Sequence, residues 1–250
     1  MGLINLGLFI FSLIFFFPRR FFKEKLEIFN LIKSNLPYLL IIIGVVVIHL
    51  FEVNVIDPHV TKWIGHDFAN NIKNIEGDFV YWFSQNWTPF LVYFFVIIYI
   101  AVYSFLLWFS PVYFLLTNHK KALKTLAYGL LLIYIIALPF YLFLPIKNVY
   151  SHYNVGSALE TVIPYVESFF YSTTTQNNCL PSLHTAMTIL VAYSVSLTEN
   201  KKLTHFAYFT MISVIISVIY LSIHWVLDVI SGAVLAIGII LILNRYMKDK

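Results

Sequence analysis

The sequence predicts an all-α, multi-pass protein of the cell membrane, with six core transmembrane helices and one short N-terminal hydrophobic helix before them. Two observations predict this fold class. Of the 250 residues, 60% are hydrophobic and 11% are charged, and the mean hydropathy is +0.82, which is atypical of soluble domains. Apolar runs long enough to cross the hydrocarbon core also recur along the chain. We expect these runs to be helices, because a helix satisfies its own backbone hydrogen bonds within lipid.

The apolar runs define seven segments. In chain order they are 3–17, 36–52, 90–110, 125–144, 183–198, 206–223 and 225–243. The first is short and ends in Phe17-Pro18-Arg19-Arg20, a pattern that fits a span, an interfacial anchor or a secretory signal. Because no small-residue cleavage site follows it, we expect it to remain in the mature chain. We assign residues 1–35 to this hydrophobic segment with a basic cytoplasmic linker, and residues 36–250 to one membrane-embedded domain.

The distribution of basic residues predicts the orientation. All but three of the 16 Lys and Arg residues lie in four intervals, 18–35, 120–124, 201–202 and 245–250. The other three are Lys62, Lys73 and Lys147, in the intervals 53–89 and 145–182. Since cytoplasmic loops collect Lys and Arg, the first group is expected to face the cytoplasm together with the C-terminus, and the second to face outward. The net charge of +4 is attributed to the membrane surface, so no nucleic-acid partner is expected.

Two short polar segments lie at the ends of apolar runs, Asn178–His184 and Ser222–Asp228. Ionisable groups near membrane depth are costly, and they usually serve a function. The predicted orientation places both segments on the outer side, so His184 and His224 can share one site. His224 and Asp228 are four residues apart, so on a helix the carboxylate can hold one imidazole nitrogen. The other nitrogen is then oriented and more basic, as a nucleophile or general base requires.

The first polar segment also predicts an anion site. Pro181 suits the first turn of a helix, and either Asn177 or Asn178 is placed to cap that helix. The N-terminal amides and the positive end of the helix dipole would then favour an anion such as phosphate near Ser182 and His184.

The motif Pro-Ser-x-His, followed by His-x-x-x-Asp about forty residues later in a six-helix set, resembles the type 2 phosphatidic acid phosphatase superfamily of lipid phosphatases and phosphotransferases. The resemblance implies that His224 attacks phosphorus and forms a phosphohistidine, and that Asp228 orients it. It implies further that His184 protonates the leaving group and that Ser182 is a phosphate ligand. No metal and no cofactor are implied.

The chain departs from the usual pattern of that family at the basic phosphate ligands. Ser217 and Val218 stand where the third motif usually has Ser-Arg, and the nearest candidate for the first motif is Leu144-Pro145-Ile146-Lys147. These departures resemble the inositol phosphorylceramide synthase-like branch. Lys147, the helix N-terminus and His184 would then carry more of the charge stabilisation. The further candidates for site residues are Ser217, His152 and Asn178.

The predicted activity is hydrolysis or transfer of a phosphate or diphosphate ester of a lipid at the outer membrane face. Two alternatives remain open at this point. Two histidines and an aspartate are also a ligand set for a metal-dependent hydrolase. Because Cys179 is the single cysteine, a multi-cysteine metal cluster is excluded. A buried His/Asp pair also occurs in proton relays of transporters and channels. The sequence does not specify the lipid, the acceptor or the oligomeric state.

Overall fold

The computed structural model describes residues 2–18, 21, 27–162, 171 and 173–248. Within these residues the chain is helical without strands, which confirms the all-α prediction, and one isolated parallel bridge joins Ile146 to Asn178. Part of the predicted basic linker lies outside the described residues, namely Arg19, Arg20, Lys23 and Lys25. Lys250 lies outside them as well.

The described chain forms α-helices and two π-helical segments. The helices are α1 (Gly2–Phe15), α2 (Ile28–Phe51), α3 (Asp57–Ile64), α4 (Ala69–Glu76), α5 (Phe79–Gln85), α6 (Pro89–Ile97), α7 (Tyr103–Leu116), α8 (Lys120–Phe143), α9 (Val149–His152), α10 (Leu183–Ser196), α11 (Lys201–Tyr220) and α12 (Val226–Lys248). The π-helical segments are π1 (Glu52–Ile56) and π2 (Ile98–Val102). Segment π1 continues α2 into α3, and π2 continues α6 into α7.

Five helical units are long and apolar enough to cross a membrane. They are Ile28–Ile64, Pro89–Leu116, Lys120–Phe143, Lys201–Tyr220 and Val226–Met247. The two remaining predicted segments are the shorter apolar helices α1 and α10. Every predicted apolar segment is therefore helical, and the membrane-bundle class is confirmed.

The second predicted segment differs most from the structure. The helix begins at Ile28 rather than at residue 36, because Asn30, Lys33 and Ser34 interrupt the apolar run without breaking the helix. The rod also continues past residue 52 to Ile64. Glu52 and Asp57, which end the apolar run in the sequence, are both buried in this rod. The predicted division at residue 35 therefore falls inside a helix.

Helix α10 lies at the centre of the bundle and packs against α7, α8, α11 and α12. Helix α12 approaches the N-terminus of α10 closely at Gly232. A Cβ atom at that position would lie 2.5 Å from the carbonyl oxygen of Ser182 and 3.2 Å from Cβ of Thr185. Gly232 therefore permits the contact that brings the two polar segments together.

We expect Gly232→Ala to destabilise the protein by about 1–3 kcal/mol, because the added methyl group meets backbone rather than a flexible side chain. Thermal unfolding in detergent should show a lower Tm together with lower activity. Gly238→Ala on the same helix is the matched control, since a Cβ atom there meets nothing within 4 Å. Equal Tm values for the two variants would contradict the close approach.

Candidate active site

Both polar segments meet at one end of the bundle, which we call the loop end and which carries residues 65–88, 145–162 and 173–182. Backbone hydrogen bonds join these loops: Ile146 N donates to Asn177 O at 2.7 Å, and Tyr150 N donates to Ser222 O at 3.1 Å. The Glu76 carboxylate accepts from Val226 N at 2.9 Å and from Leu227 N at 2.5 Å. Burial raises the pKa of Glu76, and these two amides act against that effect. Glu76 thereby caps α12 and fixes the start of this helix at the site.

A cavity of about 540 Å³ extends from the loop end to the space between α2 and α7. The part between these two helices is apolar, and the part at the loop end contains three histidines. The apolar lining includes Ile42, Val45, Val46, Leu107, Trp108 and Pro111, whereas the polar lining includes His49, Asn148, Asn178, His184 and His224. Among the described residues the lining contains no Lys, Arg, Asp or Glu side chain.

His224 lies in the turn between α11 and α12, two residues before the first helical residue of α12. Its backbone N–H donates to the carbonyl oxygen of Val218 at 3.0 Å. Its Nδ1 is 3.2 Å from Oδ2 of Asp228, which also accepts from Trp225 N at 2.9 Å. The contact therefore comes from Asp228 reaching back across the start of its helix, as the acid of a capping box does, and not from a shared helix face. The predicted pairing is observed with a different local geometry.

His184 lies in the first turn of α10 and faces His224. Its Nδ1 is 3.5 Å from Nε2 of His224, and its Nε2 is 3.0 Å from the hydroxyl oxygen of Tyr99. Because the Asp228 carboxylate can only accept, the proton of neutral His224 lies on Nδ1, and Nε2 carries a lone pair. Nδ1 of His184 can carry a proton toward His224, and the Tyr99 hydroxyl can donate to Nε2 of the neutral ring or accept from Nε2–H of the imidazolium. The site thus presents a nucleophilic nitrogen beside a proton donor.

The cap of α10 differs from the prediction. Ser182 caps the helix, since its Oγ accepts from Thr185 N at 3.3 Å, so the prediction of Asn177 or Asn178 as the cap is wrong. Pro181 precedes the helix, and its carbonyl accepts from the Tyr141 hydroxyl at 2.5 Å. Contacts with the other loop hold the preceding segment outside the helix, since Ile146 N donates to the Asn177 carbonyl and Ile146 forms a bridge with Asn178. Ser182 is fully buried, and Ser182 N donates to the Asp228 carbonyl at 2.9 Å.

Of the remaining predicted site residues, the structure places Asn178 in the cavity lining and the others outside it. Asn178 lines it and donates to Glu52 Oε1 at 3.1 Å. Lys147, Ser182, His152 and Ser217 are not among the lining residues. Nζ of Lys147 is exposed and lies 3.8 Å from Oδ2 of Asp67, and the Ser217 hydroxyl donates to the Val214 carbonyl at 2.8 Å. His184, His224, Asp228 and Asn178 are thus brought together, whereas the placement gives Lys147 no support as a phosphate ligand.

His152 lies behind the site. Its ring packs edge-on against Trp225 with a centroid distance of 5.5 Å, and Trp225 donates from Nε1 to the Lys147 carbonyl at 2.9 Å. Burial lowers the pKa of His152, so the neutral form is favoured. This position supports the turn that carries His224 rather than the cavity itself.

Sequence reasoning missed Tyr99 and Cys179. Tyr99 is 1% exposed and lies in π2, within an apolar run that gives no sign of a π-helical insertion, although such insertions are frequent at functional sites. Cys179 lines the cavity, and burial raises the pKa of its thiol, with the charges of Asp228 and Asp67 adding to the effect. The sequence signal that could have placed Cys179 at the site was its position inside the first polar segment.

We expect Tyr99→Phe to lower turnover by about tenfold, because the hydrogen bond that orients the His184 imidazole contributes about 1.5 kcal/mol. The substrate KM should change little, since the phenol contacts His184. Steady-state kinetics on a phosphate ester would measure both constants. Tyr103→Phe is the matched control, as the Tyr103 hydroxyl donates to Met187 Sδ at 3.7 Å. An unchanged kcat in Tyr99→Phe would contradict the orienting role.

Comparison with known families gives one match. A family model described as the PAP2 superfamily matches residues 74–242, which is more than half of the chain. The matched range contains Tyr99, His184, His224 and Asp228, and it excludes His49 and Glu52. Neither a curated protein nor a solved structure matches the chain.

Proposed function

The chain belongs to the PAP2 superfamily and is a phosphatase-type membrane protein, and from this premise we propose that it hydrolyses or transfers a phosphate or diphosphate ester of a lipid through a phosphohistidine. The observation that carries the proposal is the arrangement of Asp228, His224 and His184 at the polar end of an otherwise apolar cavity. Family membership favours an enzyme over the predicted transporter or channel.

In the first half-reaction, Nε2 of His224 attacks phosphorus, and the bond from phosphorus to the leaving oxygen breaks. His184 enters this step as the imidazolium, with its second proton on Nε2 toward the Tyr99 hydroxyl. The leaving oxygen takes its Nδ1 proton, so no free alkoxide forms and His184 becomes neutral. Asp228 holds the Nδ1 proton of His224 and stabilises the positive charge that develops as the N–P bond forms. The phosphate group binds between the two imidazoles, whose facing nitrogens, Nδ1 of His184 and Nε2 of His224, are 3.5 Å apart.

In the second half-reaction, water or an acceptor hydroxyl attacks the phosphohistidine. His184, which is now neutral at Nδ1, takes the proton of the attacking group, and the N–P bond breaks. His224 is regenerated with its lone pair on Nε2. Hydrolysis and transfer differ only in the attacking group, so one site serves either reaction.

The cavity supports a lipid substrate. Its apolar part between α2 and α7 is lined by Val45, Val46, Leu107 and Trp108, and such a lining suits a hydrocarbon chain. The polar part then receives the phosphate. The distribution of Lys and Arg supports a site on the outer face and a cytoplasmic C-terminus.

One observation favours a second candidate, metal-dependent hydrolysis. Potential ligand atoms of Cys179, His224 and Asp228 all lie within 4.8 Å of one another, which is a plausible three-ligand set. Against this candidate, Asp228 Oδ2 already accepts from His224 and Trp225. The raised pKa of the Cys179 thiol also disfavours the thiolate that a metal needs.

An assay with a panel of lipid phosphates and diphosphates in the presence of EDTA tests the proposal. We expect chelator-resistant turnover, and we expect Cys179→Ser to keep most of it, because no step uses the thiol. Turnover that EDTA abolishes and added Zn²⁺ restores, together with its loss in Cys179→Ser, would favour the metal site instead. No turnover on any member of the panel would overturn the proposed function.

A further inference from the structure

A second histidine–carboxylate pair lies beside the same cavity, on α2 and π1. His49 lines the cavity, and its Nδ1 is 3.7 Å from Oε2 of Glu52. Its Nε2 is 3.0 Å from the carbonyl oxygen of Thr173. The Glu52 side chain is fully buried. Both residues lie outside the range that the family model matches, so this pair belongs to the chain and not to the matched family pattern.

The ring of His49 lies between two acceptors, the Thr173 carbonyl and the Glu52 carboxylate. A carbonyl oxygen can only accept a hydrogen bond, so Nε2 carries a proton toward Thr173. A lone pair on Nδ1 would face the Glu52 carboxylate and be repelled, whereas an N–H would be attracted. Nδ1 is buried, and its 3.7 Å separation from Oε2 is an ion-pair contact rather than a hydrogen bond.

The Glu52 carboxylate accepts two hydrogen bonds from neighbouring side chains. Asn178 Nδ2 donates to Oε1 at 3.1 Å, and the Tyr134 hydroxyl donates to Oε2 at 3.4 Å. Hydrogen bonds donated to a carboxylate stabilise its charged form. A carboxylate at Glu52 complements a cation at His49.

A phosphate in this cavity needs such a cation. Phosphoryl transfer depends on neutralising charge on the phosphate oxygens, yet no Lys or Arg side chain is among the described lining residues. Lys147 pairs with Asp67 outside the lining, and Val218 is fully buried where the family pattern has arginine. His49 and His184 line the same cavity.

We propose that His49, held as an imidazolium by Glu52, binds the phosphate oxygens of the substrate in place of the missing basic side chain; this inference rests on the proposed function. On binding, Nε2–H exchanges the Thr173 carbonyl for a phosphate oxygen. Glu52 keeps the positive charge in place and, through Asn178, ties this cation to the segment that carries His184. His49 is thus a binding residue and Glu52 a positioning residue.

The test compares His49→Gln, His49→Lys and Glu52→Gln with the parent protein. The glutamine at position 49 keeps a donor for the Thr173 carbonyl but removes the charge, and the lysine restores a cation. The readouts are KM for an active lipid phosphate and the inhibition constant of inorganic phosphate. His59→Gln is the matched control, because His59 is exposed on α3 and its Nδ1 contacts the Val55 carbonyl at 2.7 Å.

We expect both constants to rise by about tenfold or more in His49→Gln and in Glu52→Gln, the size typical of a lost hydrogen bond to a charged group. His49→Lys should recover much of the loss. The double variant should be little worse than either single variant, since the two residues act as one unit. If Glu52→Gln does not fold, the comparison of the two His49 variants decides.

Unchanged constants in His49→Gln, with His224→Ala inactive, would overturn this inference and leave the proposed function standing. Equal losses in His49→Gln and His49→Lys would also overturn it, because they would show that shape rather than charge matters. A parent protein that turns over no lipid phosphate would overturn both.

Discussion

His224→Ala is expected to lower turnover by on the order of 10⁴-fold or more, because it removes the nitrogen that attacks phosphorus in the proposed mechanism. Asp228→Asn should cost on the order of 10²–10⁴-fold, since the amide cannot hold the Nδ1 proton of His224 in the same way. Initial rates of phosphate release or group transfer, with EDTA present, would measure both losses.

The control for these variants is His205→Ala. His205 is exposed on α11, and its Nδ1 contacts the Lys201 carbonyl at 2.6 Å. We predict no part in the reaction for this residue. We expect parental activity there. Substantial turnover in His224→Ala, with its Tm close to that of the parent, would show that another group attacks phosphorus.

His184→Ala is expected to lower turnover by on the order of 10²–10⁴-fold, the contribution of a positioned general acid. The loss should depend on the leaving group. An aryl phosphate, whose leaving oxygen needs no proton, should lose much less in the first half-reaction than an alkyl phosphate. Pre-steady-state release of the aryl alcohol would measure this difference.

The leaving-group comparison also separates His184 from a purely structural role. A residue that only shapes the cavity would slow both substrates equally when it is replaced. Equal losses for aryl and alkyl phosphates would therefore contradict the assignment of His184 as the acid. The Nδ1 of His184 facing His224 Nε2 at 3.5 Å is the geometric basis of the expected difference.

The helices and the centre of the site could be predicted because their signals are local. Apolar runs identify the membrane helices, and the spacing of His224 and Asp228 limits how far apart their side chains can lie. The side of the membrane predicted from Lys and Arg placed both polar segments at one end, and hydrogen bonds between the loops join them there. These inferences needed only chain-neighbour geometry and the cost of charge in lipid.

The features that the sequence did not predict depend on contacts between residues that are far apart along the chain. Glu52 and Asp57 look like loop residues in the sequence, but partners such as Asn178 and Tyr134 allow Glu52 to be buried within a rod. Lys147 has the right charge and the right loop, yet it pairs with Asp67 at 3.8 Å and is not among the cavity-lining residues. Tyr99 reaches His184 from π2, and no periodicity in the run around it indicates that insertion.

The most direct test of the central claim, that His224 carries the phosphoryl group, is to trap the intermediate. The protein is mixed with a ³²P-labelled phosphate ester that it turns over, and the reaction is quenched in alkali. The protein is then analysed for label that is stable to alkali and labile to acid. We predict label at His224 in the parent, more label in His184→Ala with an aryl phosphate, and none in His224→Ala. Steady turnover without a labelled intermediate, or label that persists in His224→Ala, would contradict the account.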